Sequence, residues 1–209
     1  MIPGSRTAQV AAAALAIVIS AIPLSGPRAD QVRRADAARL MNELMSGKVA
    51  VGAPFTLTDQ WGKRRSLAEF RGKLVLLYFG YTYCADVCPT DLAVIGAMLR
   101  SLGPQGEDVQ PLFITLDPQR DTTTVLREYV AAFHPTFLAL RGTEEETRRI
   151  ALSYKVFYEK LRRPGTNTYF IDHAALTFLL NRDGQYIAFF PPSTSAERMA
   201  VMVLQMLGG

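Results

Sequence analysis

Cysteine occurs twice in the 209 residues, and both copies fall in one short segment, Tyr81-Thr82-Tyr83-Cys84-Ala85-Asp86-Val87-Cys88-Pro89. Two thiols at this spacing can close a disulfide, attack one, or bind a soft metal ion, and the thiolate is the reactive form in each case. An apolar run, Leu74 to Phe79, precedes them and reads as a buried strand, and Pro89 opens a helical pattern. The pair therefore belongs to a strand-to-helix turn. Cys88 adjoins the positive end of the helix, which favours its thiolate. His173, in Tyr169-Phe170-Ile171-Asp172-His173-Ala174-Ala175, is one of only two histidines and falls in a loop. Two thiolates and one imidazole make a soft, low-coordinate set suited to Cu(I) and, with little adjustment, Cu(II). Structural zinc wants four protein ligands, and no fourth is evident. From the residues alone, His173 is either a ligand or a satisfied loop histidine. Asp172 either orients the ring or diverges from it, as neighbours in an extended segment usually do.

Further acidic residues flank this set. Asp86, between the cysteines, either tunes a thiol, meets a partner, or serves the turn. In Asp117-Pro118-Gln119-Arg120-Asp121-Thr122, Asp117 before proline reads as a turn residue and Asp121 as the cap of a helix beginning at Thr122. His134, between Phe133 and Pro135, reads as an end-of-helix histidine. Met41 and Met45 lack an accompanying Met-x-Met cluster and read as a packed or membrane-facing stripe. Met199, Met202 and Met206 line one face of the last helix and read as core.

The elements that must hold these residues alternate. Phe55–Thr58 and the basic segment after Trp61-Gly62 form a hairpin. Strand Leu74–Gly80 leads to helix Pro89–Leu102, strand Pro111–Leu116 to a helix over Thr122–Phe133, and a strand near Thr136–Leu140 to helix Thr143–Ser153, opened by a Thr143/Glu146 capping box. Strands over Tyr169–Ile171, Leu176–Asn181 and Gln185–Phe190 follow, the last two joined by the Asn181–Gly184 turn, and Ser195 caps a closing helix to Leu207. A hairpin, then βαβα, then ββα is the order of an α/β thioredoxin-like domain with an N-terminal β-hairpin extension, spanning residues 51–209. Residues 30–50 read as a helical linker. Residues 1–29 read as an export signal or membrane anchor, because a short basic start precedes an apolar run from about Ala8 to Leu24. That run barely reaches the ~17–25 residues a bilayer needs. Small residues around Ser25-Gly26 and Ala29 would permit cleavage, and Arg28, Arg33 and Arg34 on the far side argue against a stable anchor. Export exposes the thiols to oxidation, so a structural disulfide is the plain alternative. A three-residue spacer closes too small a loop to constrain the unfolded chain much, which favours redox or metal chemistry. A net charge of +4 with scattered Lys and Arg excludes a nucleic-acid reader.

Gly80–Pro89 resembles the signature of the Sco/SenC family of copper chaperones. Phe113–Thr122 and Ile171-Asp172-His173 are similar to two further family segments, in the family's order and spacing, and the similarity spans about Val51 to Leu207. The resemblance implies a membrane-tethered, periplasmic, thioredoxin-like domain that binds copper through Cys84, Cys88 and His173. It implies a role in assembling the binuclear CuA site of cytochrome c oxidase, by delivering copper, by reducing its cysteines, or both. The partners would be the copper-receiving oxidase subunit and other copper carriers or thiol reductants. Asp117 and Asp121 match positions near the family's site. Ala85, Tyr83 and Ala174 depart from the family's frequent proline, histidine and hydroxyl residue without removing a ligand. The alternative is an extracytoplasmic thiol–disulfide oxidoreductase, in which Cys84, the more exposed thiolate, attacks and Cys88 resolves. Its difficulties are the three-residue spacer, where such dithiols use two, and the absence of a task for His173. A thiol peroxidase would need threonine at position 81, which is tyrosine.

Overall fold

The computed structural model describes residues 39, 42–44, 46, 50–162, 165–166 and 168–208. The expected export segment, most of the linker, Met41 and Met45 lie outside the described residues. The chain divides into two compact units, Met1–Arg39 and Leu40–Gly209, and all the elements named here belong to the second. They are β1 (Thr56–Asp59), β2 (Arg64–Ser66), β3 (Leu74–Gly80), α1 (Val87–Ser101), β4 (Val109–Thr115), α2 (Thr123–Ala131), β5 (Leu138–Arg141), α3 (Glu144–Ser153), β6 (Tyr158–Arg162), β7 (Tyr169–His173), β8 (Thr177–Leu180), β9 (Tyr186–Phe190) and α4 (Ala196–Leu207). No helix among the described residues is long and apolar enough to cross a membrane.

Seven strands form one sheet in the order β2-β1-β5-β4-β3-β8-β9. β3, β4 and β5 run parallel at its centre, while β1 and β8 join antiparallel on either side. Parallel neighbours require crossovers, and α1 and α2 supply them. Every residue of β3 is buried, as expected for a strand covered on both faces, and its Leu-Val-Leu-Leu-Tyr-Phe run is apolar without alternation. Removing a side chain such as Leu76 or Leu77 from this layer would cost about 2–5 kcal/mol. α1 packs against α4. Gly96 lets the middle of α1 approach the end of α2, because a Cβ there would lie 2.5 Å from the Phe133 carbonyl oxygen. This is the thioredoxin-like arrangement, with the β1–β2 hairpin as its extension.

Local signals explain most boundaries. Thr122, Thr143 and Ser195 each accept a main-chain N–H at the start of α2, α3 and α4, with Glu146 completing the capping box at Thr143. Gly184 takes positive φ in the β8–β9 turn, where Asn181 Oδ1 accepts from the N–H groups of Asp183 and Gln185.

Several expectations are corrected. α1 begins at Val87, two residues before Pro89, so Cys88 lies inside the first turn. His173 ends a strand instead of sitting in a loop. That strand pairs with β6, which the sequence reading missed, in a separate two-stranded sheet with Tyr158 opposite His173. On α4, Met199 is buried, Met202 half-buried and Met206 exposed, so only part of that methionine face is core.

Candidate functional site

β3 ends on Gly80, and the missing side chain makes room for a sulfur. A Cβ at Gly80 would lie 3.0 Å from Cys88 Sγ and 2.9 Å from the rings of Phe113 and Tyr78. Beyond it the chain turns, with the Cys84 N–H donating to the Tyr81 carbonyl at 3.2 Å. Asp121 holds this turn from beneath. Its fully buried carboxylate accepts from the Thr82 N–H at 3.1 Å, the Thr82 hydroxyl at 2.6 Å and the Thr115 hydroxyl. Burial raises its pKa, and those three donors oppose the rise. Asp121 is therefore not the helix cap expected of it. Thr122 caps α2, and Asp121 ties the cysteine turn to the end of β4.

Both cysteines are free thiols, Cys84 partly exposed and Cys88 fully buried. The hydrogen bond between the two sulfurs, chiefly, draws the Cys84 pKa down to about 5. The N–H groups of Cys88 and Asp86 add to this, as does His173 when its ring is protonated, and burial opposes it. The Cys88 N–H lies 3.5 Å from Cys84 Sγ. The same sulfur–sulfur bond and burial push the Cys88 pKa up, against the Tyr81 N–H and the Tyr78 hydroxyl. The helix-end argument thus selected the wrong sulfur. An N–H of the first turn points back at Cys84, so Cys84 is the thiolate and Cys88 the thiol that donates to it.

His173 reaches the pair from β7. Its Nε2 lies 3.6 Å from Cys88 Sγ across 85 positions of sequence, and its Nδ1 lies 3.2 Å from the Ala174 carbonyl. A carbonyl can only accept, so Nδ1 carries the proton and the Nε2 lone pair faces the sulfur. Burial lowers the ring's pKa, which keeps it neutral and able to bind a metal. The Tyr81 ring meets the imidazole edge-on at 6.1 Å between centroids, and its hydroxyl faces the Ile171 N–H. Asp172 is exposed and does not orient the imidazole; the Ala174 carbonyl does.

The donor set fits a soft metal. With metal–sulfur and metal–nitrogen lengths of about 2.3 and 2.0 Å, two ligands at tetrahedral to trigonal angles stand ~3.5–3.7 Å apart. The observed 3.6 Å between Cys88 and His173 falls in that interval. Among the described residues no three His, Cys, Asp or Glu side chains already form a closed metal cluster. The third ligand would come from a rotation of Cys84, the sulfur with room to move.

The remaining candidates divide. Asp86 is exposed, and its side chain makes no capping bond; its carbonyl accepts from Thr90 and its N–H faces Cys84. Asp117 does form the expected turn, its carbonyl accepting from the Asp121 N–H at 2.9 Å. Its fully buried side chain also accepts from Arg120 Nε and from the Tyr169 hydroxyl at 2.8 Å. His134 bonds Thr136 through Nδ1 at 2.9 Å, as suits a residue after a helix end. Two residues were missed. Tyr78, the one hydroxyl in an apolar strand, donates to the buried Asp91 at 3.1 Å beneath Cys88, and a carboxylate three positions past a cysteine was the available signal. Arg120, inside the Asp-Pro-x-x-Asp segment, stacks on Tyr169 and Tyr83 at 3.7 and 4.5 Å from their centroids.

A sequence model described as SCO1/SenC matches residues 44–208. The SCO2-like protein RP587 of Rickettsia prowazekii is 39% identical over 153 residues, covering 73% of this chain and 75% of the relative. The bovine mitochondrial SCO2 homolog is 40% identical over 155 residues, and the match spans 73% of this chain but only 58% of that protein. Among solved structures, the crystal structure of Arabidopsis thaliana ScoI with copper bound superposes with a TM-score of 0.71 at 34% identity, covering 76% of this chain and 99% of that one.

Proposed function

This chain belongs to the SCO1/SenC family, and we propose that it carries one copper ion on Cys84, Cys88 and His173 and assists assembly of the CuA site of cytochrome c oxidase. The observation that carries the reading is the Nε2 lone pair of His173 held 3.6 Å from the buried Sγ of Cys88. The copper held by the related Arabidopsis structure supports it. The Cys84 thiolate is the first point of capture, being ionised and reachable. Cys88 then gives up its proton as its sulfur binds, and the neutral imidazole closes the set. Release runs in reverse by ligand exchange. Thiolates of the oxidase subunit, or of another copper carrier, displace Cys84 first because it is the ligand open to solvent. Residues 1–29 direct export to the periplasm, either as a cleaved signal or as a tether to the inner membrane.

The low Cys84 pKa also favours a second reading, a thiol–disulfide oxidoreductase. Cys84 attacks one sulfur of a partner disulfide and expels the other as a thiolate. Cys88, deprotonated, then attacks Cys84 in the mixed disulfide, leaving a Cys84–Cys88 disulfide and a reduced partner. Loading the chain with Cu(I) under reducing conditions separates the two. The carrier reading expects one copper per chain, with binding strongly weakened in both Cys84→Ser and His173→Ala. The oxidoreductase alone expects exchange activity to disappear in Cys84→Ser and to persist in His173→Ala. Unchanged copper affinity in His173→Ala would refute the three-ligand reading.

A further inference from the structure

The strand bearing His173 has a peculiar attachment. β6 and β7 pair with each other and with no other described strand, so side chains and single main-chain bonds must hold the hairpin to the body. We propose that Arg120 is the positioning residue that fixes this hairpin, and with it His173, against the cysteine turn; the proposal rests on the three-ligand reading.

Three segments meet on the Arg120 guanidinium. From its own segment, Asp117 accepts from Nε. From β7, the Tyr169 carbonyl accepts from Nη1 at 3.1 Å while Arg120 Cζ lies over the Tyr169 ring, 3.7 Å from its centroid. From the cysteine turn, the Tyr83 ring covers it at 4.5 Å, with Tyr81 further off at 6.0 Å. A planar guanidinium can stack on two rings and donate in its own plane at once, which lysine cannot do. The anchor beneath is rigid: the buried Asp117 carboxylate also accepts the Tyr169 hydroxyl, and its N–H donates to the Thr115 hydroxyl at 2.9 Å. Lys160 on β6 approaches the same carboxylate at 4.0 Å. Arg120 Nη2 is buried with no hydrogen-bond partner. A buried donor left empty is costly, so the guanidinium is held where it is by its other contacts and not by full satisfaction of its own N–H groups.

Tyr169 and His173 lie on the same face of β7, four residues or roughly 13 Å apart. A strand is stiff over that length, so tilting its Tyr169 end moves the imidazole away from Cys88. The ties that do not pass through Arg120 are the Tyr169 hydroxyl and Lys160 on Asp117, and the Tyr81 side chain, whose hydroxyl faces the Ile171 N–H and whose edge meets His173. The proposal requires that these ties be insufficient without Arg120.

The test uses the whole chain and Arg120→Gln, with Tyr169→Ala and the paired Asp117→Asn/Arg120→Gln variant, which leaves no unpaired buried carboxylate. Two readouts are needed. Amide hydrogen exchange on the metal-free protein should quicken at Ile171 and Phe170 on β7 by about tenfold or more, with β3 unchanged. In the Cu(II)-loaded protein the imidazole nitrogen couplings in the paramagnetic resonance spectrum should be lost, and Cu(I) affinity should fall ~10–100-fold. Adding Arg120→Gln to His173→Ala should then weaken copper no further, because both changes remove one ligand. Arg120→Lys should not rescue. The proposal is overturned if folded variants keep β7 protection, or if they keep the nitrogen couplings. It is also overturned if Arg120→Gln and His173→Ala weaken copper additively. If His173→Ala itself keeps its copper, the three-ligand reading fails, and the exchange experiment alone then judges the clamp.

Discussion

The division of charge between the two sulfurs gives the sharpest test. Cys84 is held at a pKa of about 5, against an ordinary 9.0, and the foremost cause is the hydrogen bond donated by Cys88. At pH 7 that makes Cys84 roughly 99% thiolate, where an ordinary cysteine would be ~1%. Replacing Cys88 with alanine removes the S–H donor but keeps the residue's N–H, which lies 3.5 Å from Cys84 Sγ, and the N–H of Asp86. The Cys84 midpoint should rise in Cys88→Ala but stop short of 9.0, because those main-chain donors remain. The assay is the pH dependence of alkylation by iodoacetamide on reduced, metal-free protein, with thiolate ultraviolet absorbance as a second measure. A midpoint near 5 in Cys88→Ala would show that the sulfur–sulfur bond is not the cause. A midpoint near 9 in the unmutated protein would refute the whole assignment of thiolate and thiol.

Two further outcomes follow from packing and burial. His173 is held below its ordinary 6.5 by burial, so between its two pKa values the unfolded chain binds the extra proton and the folded chain does not. Its contribution to stability is therefore present above about pH 6.5 and lost as pH falls below it, with a slope of at most ~1.4 kcal/mol per pH unit. Urea midpoints between pH 7 and 5 should fall more steeply in the unmutated protein than in His173→Gln; parallel curves would count against a neutral buried ring. Gly80→Ala would drive a Cβ into Cys88 Sγ and two rings. Its expected cost is about 1–3 kcal/mol in chemical denaturation together with weaker copper binding, and full retention of both would mean that the strand end has room to spare.

Much of this molecule is written locally. β3 occupies Leu74–Gly80 as its unbroken apolar run indicated, and the Thr143 capping box and the Asn181–Gly184 turn are where their short-range chemistry puts them. The failures are one of local register and several of partners or burial supplied by distant chain. Pro89 suggested a helix starting there, but the first turn's N–H groups have no partner within the helix, so a proline is tolerated at the third position as well. Asp121 precedes a helix and so looked like a cap; its true partner Thr82 lies 39 positions away. β6, with half-exposed Tyr158, Lys160 and Leu161 and no clean apolar alternation, exists because β7 pairs with it. The helix-end argument for Cys88 ignored which sulfur the interior would cover, and burial is a property of the assembled sheet.

The buried Asp121 has a consequence for how damage to this protein would present. Residues 115–121 contribute no atom to the trio of sulfurs and nitrogen, yet they set the height of the turn on which Cys84 stands. A lesion there would leave the ligand inventory intact while the sulfurs lost their mutual alignment. Under the copper-carrier reading such a variant would keep every ligand and still bind the ion poorly, a phenotype easily mistaken for a defect in whichever protein supplies or receives it.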